Sequence, residues 1–289
     1  MTRLATKIST MLTGLLAAGA AWATPEGAGK PIDTGHHFQT PVTEVMRDIV
    51  WLDDFMHVIM IAIVLFVTAL ILYCIVRFSR KANPTPSTTT HHTGLEIAWT
   101  AIPVIILIVI AIPSVKLLFK QLDVPTPDVT IKATGHQWNW SYEYPDEGIE
   151  FTAFMIGQGA ASLNDDVRAE LEAAGYSEDE FLLATDERVV VPVGKVVHVL
   201  VTASDVIHAW TIPSFGSKID AMPGRINETW FRAEEIGTYF GQCSELCGKD
   251  HSYMPIVVEV VSEEDYETWV LETASRDVEP KTQVAQVTE

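Results

Sequence analysis

Two apolar runs constrain this chain more than any other feature. Val58 to Val76 is 19 residues without a charge, and Ile97 to Val115 is another 19. A helix needs roughly 20 such residues to cross a bilayer, where every backbone polar group must be satisfied within the protein. The pair predicts a transmembrane hairpin with spans at about 58–76 and 97–115. The connecting loop carries Arg77, Arg80 and Lys81, a bias that belongs on the cytoplasmic side. Both ends of the hairpin then point outward, although Lys116 and Lys120 pull mildly the other way. Pro103 and Pro113 fall inside the second run, where a neighbouring helix or a local kink can absorb them. Glu96 stands at its cytoplasmic edge.

Residues 1–23 read as a cleaved secretory signal. Arg3 and Lys7 give a basic start, Met11 to Ala20 is apolar and small, and Ala21-Trp22-Ala23 fits the cleavage pattern. Residues 24–120 then form an N-terminal segment and the hairpin.

The mean hydropathy is +0.19 while the formal net charge is −19, two properties that seldom share one domain. They are segregated here. Residues 121–289 hold 10 Lys and Arg against 31 Asp and Glu, whereas residues 1–120 hold 9 against 7. So acidic a domain repels nucleic acid and anionic lipid and attracts basic partners. Its periodicity is that of strands. Val129, Ile131 and Ala133 alternate with polar residues, as do Trp138, Trp140, Tyr142 and Tyr144 over His136 to Tyr144. Further short runs at 189–193, 196–201, 229–232, 238–241 and 256–261, with Gly and Pro between them, predict an antiparallel sandwich or barrel. Asp165 to Ala174 has helical spacing and reads as a surface insertion within 155–181. Ser262 with Asp265 is a capping-box signature for a short helix before Tyr266 and Trp269. The β domain is therefore set at 121–275, followed by a loose tail at 276–289.

The chemistry concentrates in Cys243-Ser-Glu-Leu-Cys247-Gly-Lys-Asp-His251-Ser-Tyr-Met254, with His208 upstream. Cys, then His, then Met on one loop, with a histidine from an earlier strand, is the blue-copper arrangement. Cys247, His251, Met254 and His208 supply it, and Cys243 is a surplus thiolate. Two thiolates can each bridge two metals. With one histidine per metal, and Met254 and a backbone carbonyl as weak outer ligands, the inventory suits two coppers. Zinc is the blander alternative, but its sites usually join two close pairs of Cys or His, and here His208 is distant. A Cys243–Cys247 disulfide without metal also remains open. Three residues between the cysteines are one too many for a redox motif, and Cys-x-x-Cys-His for covalent haem is absent.

Gly241-Gln-Cys-Ser-Glu-Leu-Cys-Gly, with His251 and Met254 following, resembles the copper A loop of cytochrome c oxidase subunit II. Gly135-His-Gln-Trp-Asn-Trp-Ser-Tyr-Glu-Tyr resembles that family's aromatic segment, and Leu95-Glu-Ile-Ala-Trp the start of its second membrane helix. The resemblance implies a two-helix transmembrane hairpin carrying a cupredoxin-like Greek-key β-barrel, a membrane-anchored all-β protein. It implies copper A held by His208, Cys243, Cys247, His251, Met254 and the backbone carbonyl of Glu245. The Glu245 carboxylate would reach a magnesium shared with subunit I. Electrons would enter at Trp138 from a cytochrome c docked on Glu143, Asp186 and Asp205. Glu96 would stand at the entrance of a proton path into subunit I. Asp220 and Arg225 would lie near the interface above the haems.

Those implications place the chain in the bilayer of a bacterial inner (cell) membrane as a multi-pass protein, with the copper domain periplasmic. It would partner oxidase subunit I and other oxidase subunits, with haem only in the partner. Two positions depart from the family pattern: Asn139 stands where Tyr is usual, and Thr152 where related chains often have an acid. Quinol oxidase subunits of the same fold lack the copper ligands that this chain keeps. A tethered copper chaperone would need an open, exchangeable site rather than six ligands closing on two metals.

Overall fold

The computed structural model describes residues 29–159 and 162–276. The signal reading at 1–23 and nearly all of the expected tail lie outside the described residues.

Among the described residues two long helices come first, α1 (Glu44–Arg77) and α2 (Thr93–Leu122). Both outrun the apolar segments that announced them. At 1.5 Å per residue the 34-residue α1 is about 50 Å long, against about 30 Å of hydrocarbon. The excess of α1 lies at its N-terminal end, beside the β domain. Within their most apolar windows neither helix buries a residue. Phe66 and Ile112, for example, are 64% and 69% exposed, as side chains that face lipid or a partner helix must be. The α2 helix runs unbroken through Pro103 and Pro113. Its start is closed reciprocally. The His92 ring accepts from the Leu95 amide, and the Glu96 carboxylate accepts from the His92 amide, two otherwise orphaned donors satisfied at once.

Ten strands follow: β1 (Val129–His136), β2 (Asn139–Tyr144), β3 (Ile149–Ala153), β4 (Val189–Pro192), β5 (Val197–Ala203), β6 (His208–Ile212), β7 (Ser217–Ala221), β8 (Asn227–Phe231), β9 (Gly237–Gln242) and β10 (Pro255–Val261). They form a β-sandwich with one sheet ordered β3-β2-β1-β5-β8, a second ordered β4-β10-β9, and the pair β6-β7. Pairing is mostly antiparallel, but β1 runs parallel to β5 and β4 parallel to β10. Each parallel pair needs a long crossover, and sequence alternation does not report which strands such crossovers bring together. Strict alternation puts Val129, Ile131, Ala133, Trp140, Tyr142, Tyr144, Val197, Val199 and Val201 into one core.

The alternating stretch 136–144 is not one strand. It breaks at Gln137-Trp138 into a two-residue turn, with His136 opposite Asn139. Trp140, Tyr142 and Tyr144 face inward as their period requires, while Trp138 is left half-exposed on the turn. The expected surface insertion is a docked element. Helix α3 (Asp165–Ala173) turns Val167 and Leu171 onto Phe240 and Val257, on the outer face of β9 and β10. Helix α4 (Glu263–Arg276) begins at the predicted cap, where the Ser262 hydroxyl accepts from the Asp265 amide.

Hairpin and sandwich meet in a dense joint. The Thr43 hydroxyl caps α1 by accepting from the Met46 amide and donates to the carbonyl of Phe215. The Trp230 indole donates to the carbonyl of Lys120. Val45, Val196 and Trp230 pack together with Ile49, Leu117 and Val124 at their edge. Lys120 pairs with Asp48, and Arg47 with Glu234. The outer ends of the helices thus hold the β domain through apolar, hydrogen-bonded and ionic contacts.

Candidate metal centre

Strands β9 and β10 are hydrogen-bonded neighbours whose facing ends, Gln242 and Pro255, are in register. The 12 residues from Cys243 to Met254 therefore form a closed hairpin loop, and its first and last members are both candidate ligands. The Cys243 amide donates to the Met254 carbonyl at 3.3 Å, and the same carbonyl accepts from the Trp140 indole. The Ser244 amide donates to Ala209, which ties the loop to β6, the strand that opens with His208.

The loop gathers the predicted donors. The Cys243 and Cys247 sulfurs lie 3.8 Å apart. His208 Nδ1 is 3.9 Å from Cys243, and His251 Nδ1 is 3.6 Å from Cys247. Met254 Sδ is 3.6 Å from Cys247, and the Glu245 carbonyl oxygen is 3.3 Å from Cys243. The nearest ligand atoms of His208, Cys243 and Cys247 fall within 4.8 Å of one another. His208, both cysteines and Met254 are buried, while His251 is partly open to solvent.

Both cysteines are free thiols, so the disulfide alternative does not describe this state. A separation of 3.8 Å suits two sulfurs sharing a metal at about 2.3 Å, with an angle near 110° at the metal. One imidazole against each thiol, a thioether and a carbonyl at the margin form a donor set for a soft or borderline metal rather than a hard one. The residues fit a thiolate-bridged copper pair.

Burial and the neighbours act differently on the two thiols. Burial opposes ionisation of Cys243, but contact with His208 and backbone hydrogen bonds at Glu245 and Ala209 outweigh it and pull the pKa down. Burial, with Cys243 alongside, pushes Cys247 up. Burial also opposes a charge on His208, yet Cys243 and Asp205 together raise its pKa. Asp205 Oδ1 receives His208 Nε2 at 2.8 Å. A carboxylate on the far nitrogen fixes the ring so that Nδ1 faces the thiols, the usual support for a metal-ligating imidazole. Below the ring lies Gly135 in β1, where a Cβ would stand 2.9 Å from His208 Cδ2; only glycine leaves room for the imidazole.

Trp138 sits against the metal loop, its indole donating to the Cys247 carbonyl at 3.2 Å. Glu96 is distant, in the first turn of α2. The three proposed docking acids each have local partners. Glu143 pairs with Lys132 at 2.7 Å across β1 and β2. Asp186 accepts from the amides of Phe154 and Glu187. Asp205 accepts from the amides of Gln137 and Val206 besides the His208 ring. The Glu245 side chain is exposed. At the two departures, Asn139 opens β2, and the Thr152 hydroxyl pairs with Ser141 across β2 and β3 at 2.9 Å. Sequence reading missed Gln137, whose side chain donates to the Cys247 carbonyl at 2.8 Å. Its place beside Trp138 was the only signal.

The cytochrome c oxidase subunit 2 of Cereibacter sphaeroides is 52% identical over 272 residues, covering 92% of this chain and 90% of that protein. The chain belongs to the cytochrome c oxidase subunit II family. The family model described as "Cytochrome C oxidase subunit II, periplasmic domain" matches residues 129–261, and the one described as "Cytochrome C oxidase subunit II, transmembrane domain" matches residues 31–117. A probable cytochrome c oxidase subunit 2 of Rickettsia bellii is 44% identical over 244 residues, covering 84% of this chain and 86% of that one. The crystal structure of the periplasmic domain of subunit II of cytochrome oxidase (CoxB) of Bradyrhizobium japonicum is 46% identical, covering 53% of this chain and 99% of that chain, with a TM-score of 0.45. As a member of this family the chain is a subunit of an oxidoreductase, cytochrome c oxidase. Helices α1 and α2 are its transmembrane hairpin, and the β-sandwich is its periplasmic domain.

The contacts around each sulfur predict different outcomes for two substitutions. Cys247 neighbours Cys243, His251 and Met254 at once, so Cys247→Ser should leave one copper or none per chain. The Met254 thioether lies at the margin of the donor set, beside the Cys247 sulfur, so Met254→Leu should keep two coppers while shifting the reduction potential. Copper analysis with electron paramagnetic resonance checks both, and an unchanged two-copper spectrum in Cys247→Ser would refute the bridging assignment.

Proposed function

We propose that this chain is the electron-accepting subunit of a proton-pumping haem–copper cytochrome c oxidase. In this reading it takes electrons from cytochrome c at a binuclear copper A centre and passes them to haem in subunit I, where oxygen is reduced to water. The observation that carries the reading is the closed loop from Cys243 to Met254, which sets one imidazole beside each of two unbonded thiols. When bound, the copper pair supplies a one-electron carrier whose charge is spread over two metals.

The chain's own residues would prepare that centre. Cys243, Cys247, His208 and His251 would hold the metal through their thiolates and imidazoles. Met254 and the Glu245 carbonyl would complete the donor set beside them. Asp205 keeps the His208 ring turned inward, and the apolar sandwich excludes water. The exposed Glu245 carboxylate is free to reach a magnesium shared with subunit I. Trp138, joined to Cys247 by a hydrogen bond, is where electrons would enter. The bare apolar faces of α1 and α2 would meet lipid and subunit I in a bacterial inner membrane. Two crossings, with a signal at 1–23 removed, would leave the copper domain periplasmic. Haem co-purifying with the chain would support this assembly; a haem-free chain that exchanges copper readily would favour a chaperone.

The excess acid of residues 121–289 faces a compartment in which basic cytochromes c diffuse. Opposite fields can raise encounter rates by roughly 10- to 1000-fold and fade with salt over a screening length of about 10 Å at 0.1 M. Oxidation of cytochrome c should therefore slow steeply as ionic strength rises. Glu143→Gln and Asp186→Asn should raise the KM for cytochrome c and leave the copper spectrum alone. Asp205→Asn should also perturb that spectrum, because it loosens His208. A flat salt profile in the unaltered protein would place docking elsewhere.

Glu96 would gather protons at the cytoplasmic rim, and it also caps α2. Gln can cap in the same way but cannot take up a proton. Glu96→Gln should therefore slow turnover about as much as Glu96→Ala, with copper unaltered in both. Full turnover in Glu96→Gln beside a slow Glu96→Ala would reduce the residue to a helix cap.

A further inference from the structure

We propose that Gly248 is a positioning residue for electron transfer into the copper centre: its bare Cα is the seat that lets the Trp138 indole lie against the Cys247 carbonyl. This rests on the reading of Trp138 as the point where electrons enter.

Gly248 follows Cys247 directly. A Cβ there would stand 2.9 Å from Trp138 Cζ2, 3.3 Å from Trp138 Nε1 and 3.2 Å from Gln137 Nε2. The closest of these atoms belongs to a rigid ring, not to the tip of a flexible side chain. Both Nε1 and Gln137 Nε2 donate to the Cys247 carbonyl, at 3.2 and 2.8 Å. Any atom on Gly248 would therefore press on the two donors that bind the turn to the metal loop.

The turn has little freedom to retreat. Asp205 accepts from the Gln137 amide at 2.7 Å, and Gln158 donates to the Trp138 carbonyl at 3.0 Å. With the backbone of Gln137 and Trp138 held on two sides, relief must come from the indole swinging outward, which breaks its hydrogen bond. That bond links the half-exposed ring to the Cys247 sulfur through the carbonyl carbon, Cα and Cβ of Cys247. One electron crosses it. The donor haem is oxidised by one electron, the copper centre is reduced by one, and no proton moves. Gly248 also has φ +127°, a conformation that favours glycine by itself, so a test must separate room for the ring from strain in the loop.

The test uses the complete oxidase with subunit II carrying 5-fluorotryptophan. The Trp138 fluorine resonance is assigned by its loss in Trp138→Phe. In Gly248→Ala the copper content and paramagnetic spectrum should match the unaltered protein, and the Trp138 resonance should shift even when copper has been removed. Electron transfer from cytochrome c should slow by roughly 10- to 100-fold, the scale of loss that a displacement of about 1 Å can cause, with KM unchanged. Added to Trp138→Phe, Gly248→Ala should slow transfer no further, because a phenyl ring leaves the new Cβ room. An unchanged rate, a risen KM, lost or altered copper, or further slowing in the double variant would each overturn the role of Gly248. If Trp138→Phe itself transfers electrons at the normal rate, the reading of Trp138 has failed. If Trp138→Phe is slow and Gly248→Ala is not, only the present proposal has failed.

Discussion

The pairing of β9 with β10 governs the arrangement of the site. Register between Gln242 and Pro255 brings Cys243 and Met254 to the two ends of one closed loop, and the Cys243 amide bonds the Met254 carbonyl across it. Everything else at the site is fixed relative to that closure. Ser244 ties the loop to β6 and so sets His208. Trp140 holds the Met254 carbonyl, while Gln137 and Trp138 hold that of Cys247. Thiols this close, buried and free would repel once ionised. A metal held between them would make two such thiolates compatible with a dry core.

The same closure connects the site to the membrane. The β6–β7 turn supplies the Phe215 carbonyl that receives the Thr43 cap of α1, and β8 supplies Trp230, which bonds Lys120 at the end of α2. Short connections between the sandwich strands and the helix ends hold the loop from Cys243 to Met254 in place relative to the hairpin. In the proposed function, an electron relay between a diffusing donor and a membrane-embedded acceptor would depend on such fixed distances.

Much of this was legible in the sequence because it rests on local patterns. Uninterrupted apolar runs announced both helices, period-two alternation marked Ile131, Trp140 and Tyr142 as one face of the strands, and Ser262 with Asp265 marked the start of α4. The candidate donors were legible because Cys243, Cys247, His251 and Met254 share one loop. What was hidden depends on contacts distant in sequence. The parallel pairings of β1 with β5 and β4 with β10 are made by crossovers that leave no periodicity. The break at Gln137-Trp138 falls inside unbroken alternation. The docking of α3 depends on Phe240 and Val257, about 70 to 90 residues away. Asp205 read as a docking acid through the resemblance, and only the fold shows it holding the Gln137 amide beside the nearby His208 ring.

The central claim is that the chain holds two coppers acting as one carrier. Copper analysis of the purified full-length subunit in its complex, combined with electron paramagnetic resonance of the oxidised state, tests it most directly. The structure predicts two coppers per chain in this subunit and an unpaired electron shared equally between them. One copper per chain, or the spectrum of a single localised copper(II), would contradict it.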